Sequence, residues 1–322
     1  MERTSLFIIN TPFQALCTIE AIKDYDIKNY YIAIVRNVND KFNKKTEKIL
    51  NDFNISFNFI FIKSFYDTLK KGILRKFDSE LYNLNIDRIF VGDYYSDSFR
   101  LFITFFIKNE VNIILLDDGS ATILLYKYGL SHIKLKSTNV IIKRKLINFL
   151  MLFHTKKNIL FFSVFTPPNN YNILFKKNSL TFLRNNKYND KMSFIIGSKM
   201  SETGKLSENE YFNYLNKIKA RFPNETFFYC PHRKESTEKL NKIKVLFNFE
   251  IFNTEYTLEY DIYKKNIMPK IIVGFGSTAV YTLKIIFPNI DAYTISFYNK
   301  KTYNVYKVLN DVYKKQGVKI LE

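Results

Sequence analysis

Short runs of β-branched and aromatic residues recur along this chain, each followed by a longer amphipathic stretch. Leu6–Ile9 leads into a helical pattern over Pro12–Ile22, and Tyr30–Val35 into a polar helix with Ile49 and Leu50 on its inner face. Phe57–Ile62, Arg88–Val91 and Val111–Leu116 continue the series. Apolar runs of about four to eight residues between helical segments are the pattern of parallel strands covered on both faces. The rhythm breaks between residues 156 and 191, where Thr166-Pro-Pro-Asn-Asn170 and Asn185-Asn-Lys-Tyr-Asn189 are turn-type clusters. It then restarts with Ser193–Ile196, a helix near Glu208–Arg221, Thr226–Tyr229, Val245–Ile251, Ile271–Val273 and Ala292–Ile295, and closes on a helix over Tyr303–Lys315. The expected class is α/β: two Rossmann-like domains facing across a cleft, residues 1–155 and 192–322, with 156–191 as the linker region.

Composition removes several alternatives. The 32 Phe and 23 Tyr among 322 residues exclude a mainly disordered chain, and 9 Gly and 7 Pro exclude collagen-like or linker-like character. Two cysteines, Cys17 and Cys230, build no disulfide framework, and no Cys/His spacing matches a zinc site, so the chain reads as intracellular and metal-independent. The 49 basic and 30 acidic residues leave a net charge of +19, which calls for an anionic partner: nucleic acid, phospholipid, nucleotide or acidic glycan. No apolar run reaches the roughly 18 residues of a membrane span, and no cleavable signal peptide precedes Ser5–Asn10. The expected location is cytoplasmic, with any membrane met peripherally from that side. Against nucleic acid, the aromatic residues fall in core runs rather than among Lys and Arg on one face.

In open α/β sheets ligands sit beyond the carboxyl ends of the strands, near helix N-termini. Five stretches occupy such positions. Asn10-Thr-Pro-Phe-Gln14 follows the first strand; capping explains Thr11 and Pro12, while Gln14 is expected to point into the crevice. Asp117-Asp118-Gly119 follows the fifth. Asp118 suits a helix cap, with Gly119 permitting the turn, and equally a general base for a hydroxyl nucleophile. Gly197–Glu202 opens the second half with a tight turn. His232 stands at a strand end between Pro231 and Arg233, where it reads as a solvated loop residue or as a protonated imidazole beside Arg233 that holds a phosphate. The remaining histidines, His132 and His154, lie in a basic segment with no evident partner.

Gly274-Phe-Gly276-Ser277-Thr278-Ala279 again joins strand to helix, with hydroxyls and N–H groups suited to a phosphate. It matches G-x-G-x-x-A, but that dinucleotide fingerprint belongs to an opening βα unit, and no Walker lysine is present. Glu259, near the start of a helix one unit earlier, could hold ribose hydroxyls or serve the helix dipole.

In this order the motifs resemble bacterial sialyltransferases of the lipooligosaccharide family, relatives of the capsular polysialyltransferases, with two Rossmann-like domains in a GT-B arrangement. Phe7–Gln14 is similar to that family's opening strand and turn, Asp117-Asp118-Gly119 to its acidic-acidic-Gly motif, and Ser277-Thr278 to its late hydroxyl pair. The order Pro231-His232 departs from the family's His-Pro pair. The resemblance implies inverting, metal-independent transfer of sialic acid from CMP-sialic acid to a galactose-type hydroxyl of a lipid-linked glycan, lipooligosaccharide or capsule, with no cofactor. Asp118, or less readily Asp117, would be the base, and His232 would meet the departing phosphate. Gly274, Gly276, Ser277 and Thr278 would cradle that phosphate, Arg233 would add charge, Glu259 would bind ribose, and Thr11 and Gln14 would line the acceptor side. The segment His132–Leu150, with Lys134, Lys136, Lys143, Arg144 and Lys145, reads as a membrane-facing helix or as a solvated basic one packed by Ile141, Ile142 and Leu146. Rival readings are the same architecture with another nucleotide sugar, such as a CMP-activated nonulosonic acid, a nucleic-acid-binding protein, and a nicotinamide-dependent oxidoreductase.

Overall fold

In the computed structural model of the chain, strand β1 (Arg3–Ile9) is buried at every position from Thr4 to Ile9, without alternation. Such burial requires cover on both faces, the condition of a parallel sheet in an α/β protein. The described residues are 2–36, 40–106, 111–128, 142, 145–147, 159–167, 173–184, 190–295 and 303–321. The chain divides into two units, Met1–Ser179 and Leu180–Glu322, each with its own apolar core.

The first unit holds a seven-stranded parallel sheet. Its remaining strands are β2 (Tyr30–Arg36), β3 (Asn58–Phe61), β4 (Asn85–Val91), β5 (Asn112–Leu115), β6 (Leu160–Ser163) and β7 (Leu174–Lys177), in the order β3-β2-β1-β4-β5-β6-β7. The connecting helices are α1 (Pro12–Asp24), α2 (Asp40–Asp52), α3 (Phe65–Ile73), α4 (Ser79–Asn83), α5 (Asp97–Thr104) and α6 (Ser120–Tyr128). Phe7 and Phe90, on neighbouring strands, stack at 4.3 Å between ring centroids. Ile49 and Leu50 are buried, as the α2 pattern requires.

The second unit holds β8 (Asp190–Ile196), β9 (Phe227–Cys230), β10 (Glu250–Ile251), β11 (Ile267–Gly274), β12 (Asp291–Ile295) and β13 (Lys319–Leu321), parallel in the order β10-β9-β8-β11-β12-β13. Its helices are α7 (Glu208–Arg221), α8 (Thr237–Phe247), α9 (Leu258–Lys264), α10 (Thr278–Ile286) and α11 (Tyr303–Lys315). Both sheets therefore reverse strand order once, between β1 and β4 and between β8 and β11, and such switch points are where α/β sheets bind ligands.

Two readings of the sequence differ from the structure, and a third falls mostly on residues outside those described. The 156–191 region carries β6 and β7, so the first unit runs on to Ser179. β7 mixes Leu174 and Phe175 with two lysines, too polar to stand out as an apolar run, while β6 lies in the apolar run Ile159–Phe165, which the turn clusters around it masked. The Val245–Ile251 run is split, because Asn248 takes a left-handed conformation (φ 55°) that ends α8 and leaves Val245 and Leu246 exposed. Most of His132–Leu150, including Lys134, Lys136, Lys143 and Arg144, lies outside the described residues, as does His154.

The β11–α10 junction needs glycine for a steric reason. A Cβ on Gly274 would stand 2.4 Å from Val280 Cγ2. Gly274→Ala is expected to destabilise the second unit by about 1–3 kcal/mol, as overpacking does. Denaturant unfolding checks this, and an unchanged midpoint contradicts it.

Candidate functional site

Helix α1 begins where β1 ends, and its cap shapes the first site. Thr11 is the N-cap, its hydroxyl accepting from the Gln14 N–H at 3.3 Å, with Pro12 as the first helical residue. Gln14 is completely buried. Its Oε1 accepts the Asn10 N–H at 2.9 Å, and its Nε2 donates to Asp118 Oδ1 at 3.0 Å. It therefore orients the carboxylate rather than lining an open face, which corrects the acceptor-side role expected for it. A Cβ at Gly92, at the end of β4, would lie 2.3 Å from Gln14 Oε1, so the amide occupies the space that glycine leaves.

Asp118 lies just beyond β5 and is only partly buried. Burial pushes its carboxyl up to about 6, with the Asp93 charge adding to the rise and the Gln14 hydrogen bond opposing it. Asp93, after β4, is raised by burial against hydrogen bonds from the Ser96 and Tyr95 N–H groups. Among the described residues, two buried polar atoms at these strand ends, Asn10 Oδ1 and Tyr95 Oη, have no hydrogen-bond partner. The first site is thus a polar cluster at the carboxyl ends of β1, β4 and β5, beside the switch point. Asp93 and Tyr95 escaped the reading of the sequence. The signal was present in Gly92-Asp93, a second Gly/Asp strand end beside that of Asp118-Gly119.

Asp117 is different. It is fully buried, Ser163 Oγ donates to its Oδ1, and the Val164 N–H donates to Oδ2 at 2.7 Å. Burial pushes it up to about 7, against the hydrogen bonds of Ser163, Val164 and Thr122. Asp117 ties the end of β5 to the end of β6, so the structure sets it apart from the exposed base expected as the alternative to Asp118.

In the second unit, a buried network joins the ends of β8 and β9. Glu235 and Lys239, with side chains 0 % and 1 % exposed, pair at 2.7 Å. Glu235 also accepts from Tyr229 Oη and from the His232 N–H, each at 2.7 Å. Lys239 Nζ donates to the Ser198 carbonyl at 3.1 Å and Ser201 Oγ at 2.8 Å, and stands 3.6 Å over the Tyr211 ring. Glu202 lies 3.5 Å from the same ammonium. A Cβ at Gly197 would come within 2.3 Å of Glu235 Oε2, which explains the glycine at this turn. Lys239 was invisible in the sequence, because a lysine in an amphipathic helix reads as solvated.

His232 is held by that network through its backbone. Its Nδ1 accepts the Lys234 N–H at 3.2 Å. Burial and the charges of Lys199 and Arg233 lower its pKa. Both influences favour the neutral imidazole, and with Nδ1 accepting, Nε2 is the nitrogen left to carry its proton. Arg233 is exposed.

At β11, Gly276 has φ 68° and turns the chain into α10, whose N-cap Ser277 accepts the Ala279 N–H at 3.3 Å. Thr278 is the first helical residue, so hydroxyl and N–H groups gather at a helix N-terminus beside the second switch point. Glu259, expected at a ribose, is buried and accepts from the Thr282 hydroxyl, tying α9 to α10. Among the described residues no group of three or more His, Cys, Asp or Glu is placed to hold a metal ion.

No family model and no curated protein sequence matches this chain. Solved structures do match it along nearly its whole length. An α/β-galactoside α-2,3-sialyltransferase from Photobacterium phosphoreum superposes with a TM-score of 0.58 at 14% identity, over 99% of this chain and 98% of that one. MnaA from S. aureus, in a co-structure with UDP, gives 0.53 at 11% identity over 98% and 87%. The GT-B domain of a sialyltransferase from Photobacterium damselae gives 0.50 at 13% identity over 99% and 100%. The class is therefore α/β with two Rossmann-like units, a sialyltransferase-like GT-B fold. The likeness is one of fold.

Two predictions follow from the buried carboxylates. Because Asp117 holds its proton to about pH 7 when folded and to about 3.8 at its ordinary value, the unfolded chain releases that proton first as pH rises. Its contribution to stability is complete below about pH 4 and is lost as pH climbs through about 7. Asp117→Asn is expected to flatten this fall, read from denaturant unfolding between pH 4 and 8; an identical pH slope in both proteins excludes it. Glu235→Gln leaves the buried Lys239 ammonium without its carboxylate and is expected to cost about 3–5 kcal/mol. Glu235→Gln with Lys239→Met recovers much of that loss if the pair is coupled.

Proposed function

We propose that this protein is a glycosyltransferase that moves sialic acid from CMP-sialic acid to a galactose-type hydroxyl of a lipid-linked cell-surface glycan, lipooligosaccharide or capsule, with inversion and without a metal. The observation that carries the reading is Asp118: a partly buried carboxylate at a strand end, oriented by Gln14 and raised to about 6. A base near the working pH is what deprotonation of a sugar hydroxyl calls for. The sialyltransferase likeness supports the class of donor and acceptor.

In this mechanism Asp118 accepts the proton of the acceptor hydroxyl as its oxygen bonds to the anomeric carbon. The bond from that carbon to the phosphate oxygen breaks, and CMP leaves with the electron pair. His232 donates its Nε2–H to the departing phosphate, and Ser277, Thr278 and the Gly274–Gly276 turn receive the phosphate through hydroxyl and N–H groups. Arg233 adds positive charge. Thr11 and Gln14 hold the α1 cap and the base, and Glu259 braces the phosphate-binding turn from within. Together these supply the charge stabilisation that a metal would otherwise provide.

The +19 charge fits an anionic lipid-linked acceptor and a peripheral position on the inner face of the cytoplasmic membrane. Among the described residues no helix is long and apolar enough to cross a membrane. The second reading keeps the architecture with another nucleotide sugar, a CMP-activated nonulosonic acid or, given the UDP co-structure of one similar fold, a UDP-sugar.

CMP release from CMP-sialic acid, measured in EDTA with and without a lactose-type acceptor, tests the proposal. Acceptor-stimulated release is expected, with kcat/KM rising as pH passes about 6 and Asp118 ionises. Asp118→Asn is expected to lower kcat by about 10²–10⁴-fold and to remove that limb, while His232→Ala lowers release without moving it. Absence of release with every acceptor, together with no thermal stabilisation by CMP, sinks the sialyltransferase reading.

A further inference from the structure

Of the large apolar side chains that stand exposed among the described residues, four fall within residues 61–74: Phe61 (56%), Tyr66 (63%), Ile73 (67%) and Leu74 (49%). Single exposed apolar residues are ordinary, but a contiguous patch marks a docking surface. Tyr66 and Ile73, seven residues apart, lie on one side of α3 with the exposed Lys70 between them, and Leu74 follows directly after Ile73. The opposite face, Phe65, Thr68 and Gly72, is already buried in the unit. Lys71 Nζ donates to the Phe61 carbonyl at 2.5 Å and ties the end of β3 to the helix.

The charge around the patch has one sign. Residues 61–76 contain five cations (Lys63, Lys70, Lys71, Arg75, Lys76) and one acid, Asp67. That acid is taken up by Lys71, with an N–O distance of 3.1 Å. Lys63, Lys70, Arg75 and Lys76 are exposed. An apolar stripe rimmed by cations is the pair of signals that holds a protein on an anionic bilayer, since neither alone is enough for stable adsorption.

We propose that the outer face of α3, with Leu74, is the surface on which this protein adsorbs to a bilayer bearing anionic phospholipid headgroups. The inference deepens the peripheral position proposed above and rests on that reading, but vesicle binding reports on it without any transferase turnover. Tyr66, Ile73 and Leu74 enter the interface, and the four exposed cations meet the phosphates.

The test is co-sedimentation of the full chain with phosphatidylglycerol–phosphatidylcholine vesicles and with phosphatidylcholine vesicles, at low and high salt. Binding to the anionic vesicles only, weakened by salt, is expected. Ile73→Glu/Leu74→Glu and, separately, Lys70→Glu/Arg75→Glu are expected to lower the partition coefficient at least about tenfold, with unchanged melting temperature and unchanged CMP release from CMP-sialic acid in the presence of a soluble acceptor. Equal binding to neutral vesicles overturns the proposal. So does wild-type binding by both double variants, or loss of binding only on Lys143→Ala/Arg144→Ala/Lys145→Ala. A dimer that Ile73→Glu/Leu74→Glu dissociates, with no vesicle adsorption by the wild type, assigns the patch to a second copy of the chain instead.

Discussion

Every strand in both sheets is parallel, so each connection must cross a face of the sheet before the chain can return. That single constraint gathers all strand carboxyl ends on one edge of each sheet and sets helix N-termini beside them. Because the crossovers are right-handed, covering both faces of the sheet takes a reversal of strand order, and the reversal opens a gap that adjacent connections do not cover. Asn10, Asp93 and Asp118 owe their meeting in the first unit to this arrangement. In the second unit the same geometry places Gly197–Ser198 and Gly274–Thr278 at the ends of the paired strands β8 and β11.

Burial then sorts the polar residues at those ends into two kinds. Asp117 and the Glu235–Lys239 pair are fully withdrawn from water, and their hydrogen-bonding capacity is spent on the protein: Ser163 and Val164 in one case, Tyr229, the His232 N–H, Ser198 and Ser201 in the other. An unpaired charge at such depth is costly, so these networks are complete and hold the turns in place. Asp118 and His232 are the other kind, partly buried and tethered on one side only, by Gln14 Nε2 and by the Lys234 N–H. Nε2 of His232 and the second oxygen of Asp118 are the atoms that these two tethers do not engage. Desolvation shifts both toward their neutral forms, up for the acid and down for the imidazole.

How far the chain could be read in advance followed the strength of local signals. Continuous apolar runs such as Phe7-Ile-Ile9 and Ile271-Ile-Val273 announce buried parallel strands, and Ser207 to Glu210 caps α7 in a capping box that marks the helix start. β6, β7, β10 and β13 were not read as strands; all four form a sheet edge or adjoin one, and β7, β10 and β13 carry at most three apolar side chains each. At the site, Asp118, His232 and Ser277 stood out as unusual residues after a strand. Gln14 was noticed, but its direction was not readable: whether a helix residue faces the open crevice or turns back onto a carboxylate 104 positions away depends on contacts far apart in sequence.

Local sequence determined the α/β class, the strand-end positions of the motifs, the helix caps and the net positive charge, since each rests on periodicity, on residues within one turn of each other, or on simple counting. Tertiary structure alone decided which of two adjacent aspartates is withdrawn and which remains reachable, that Asp93 stands beside Asp118, and that Lys239 is a buried partner of Glu235 rather than a surface charge. It also decided that Tyr66, Ile73 and Leu74 lie outside the core. Burial, and the electric environment that follows from it, is a property of what packs around a residue, and those neighbours come from distant parts of the chain.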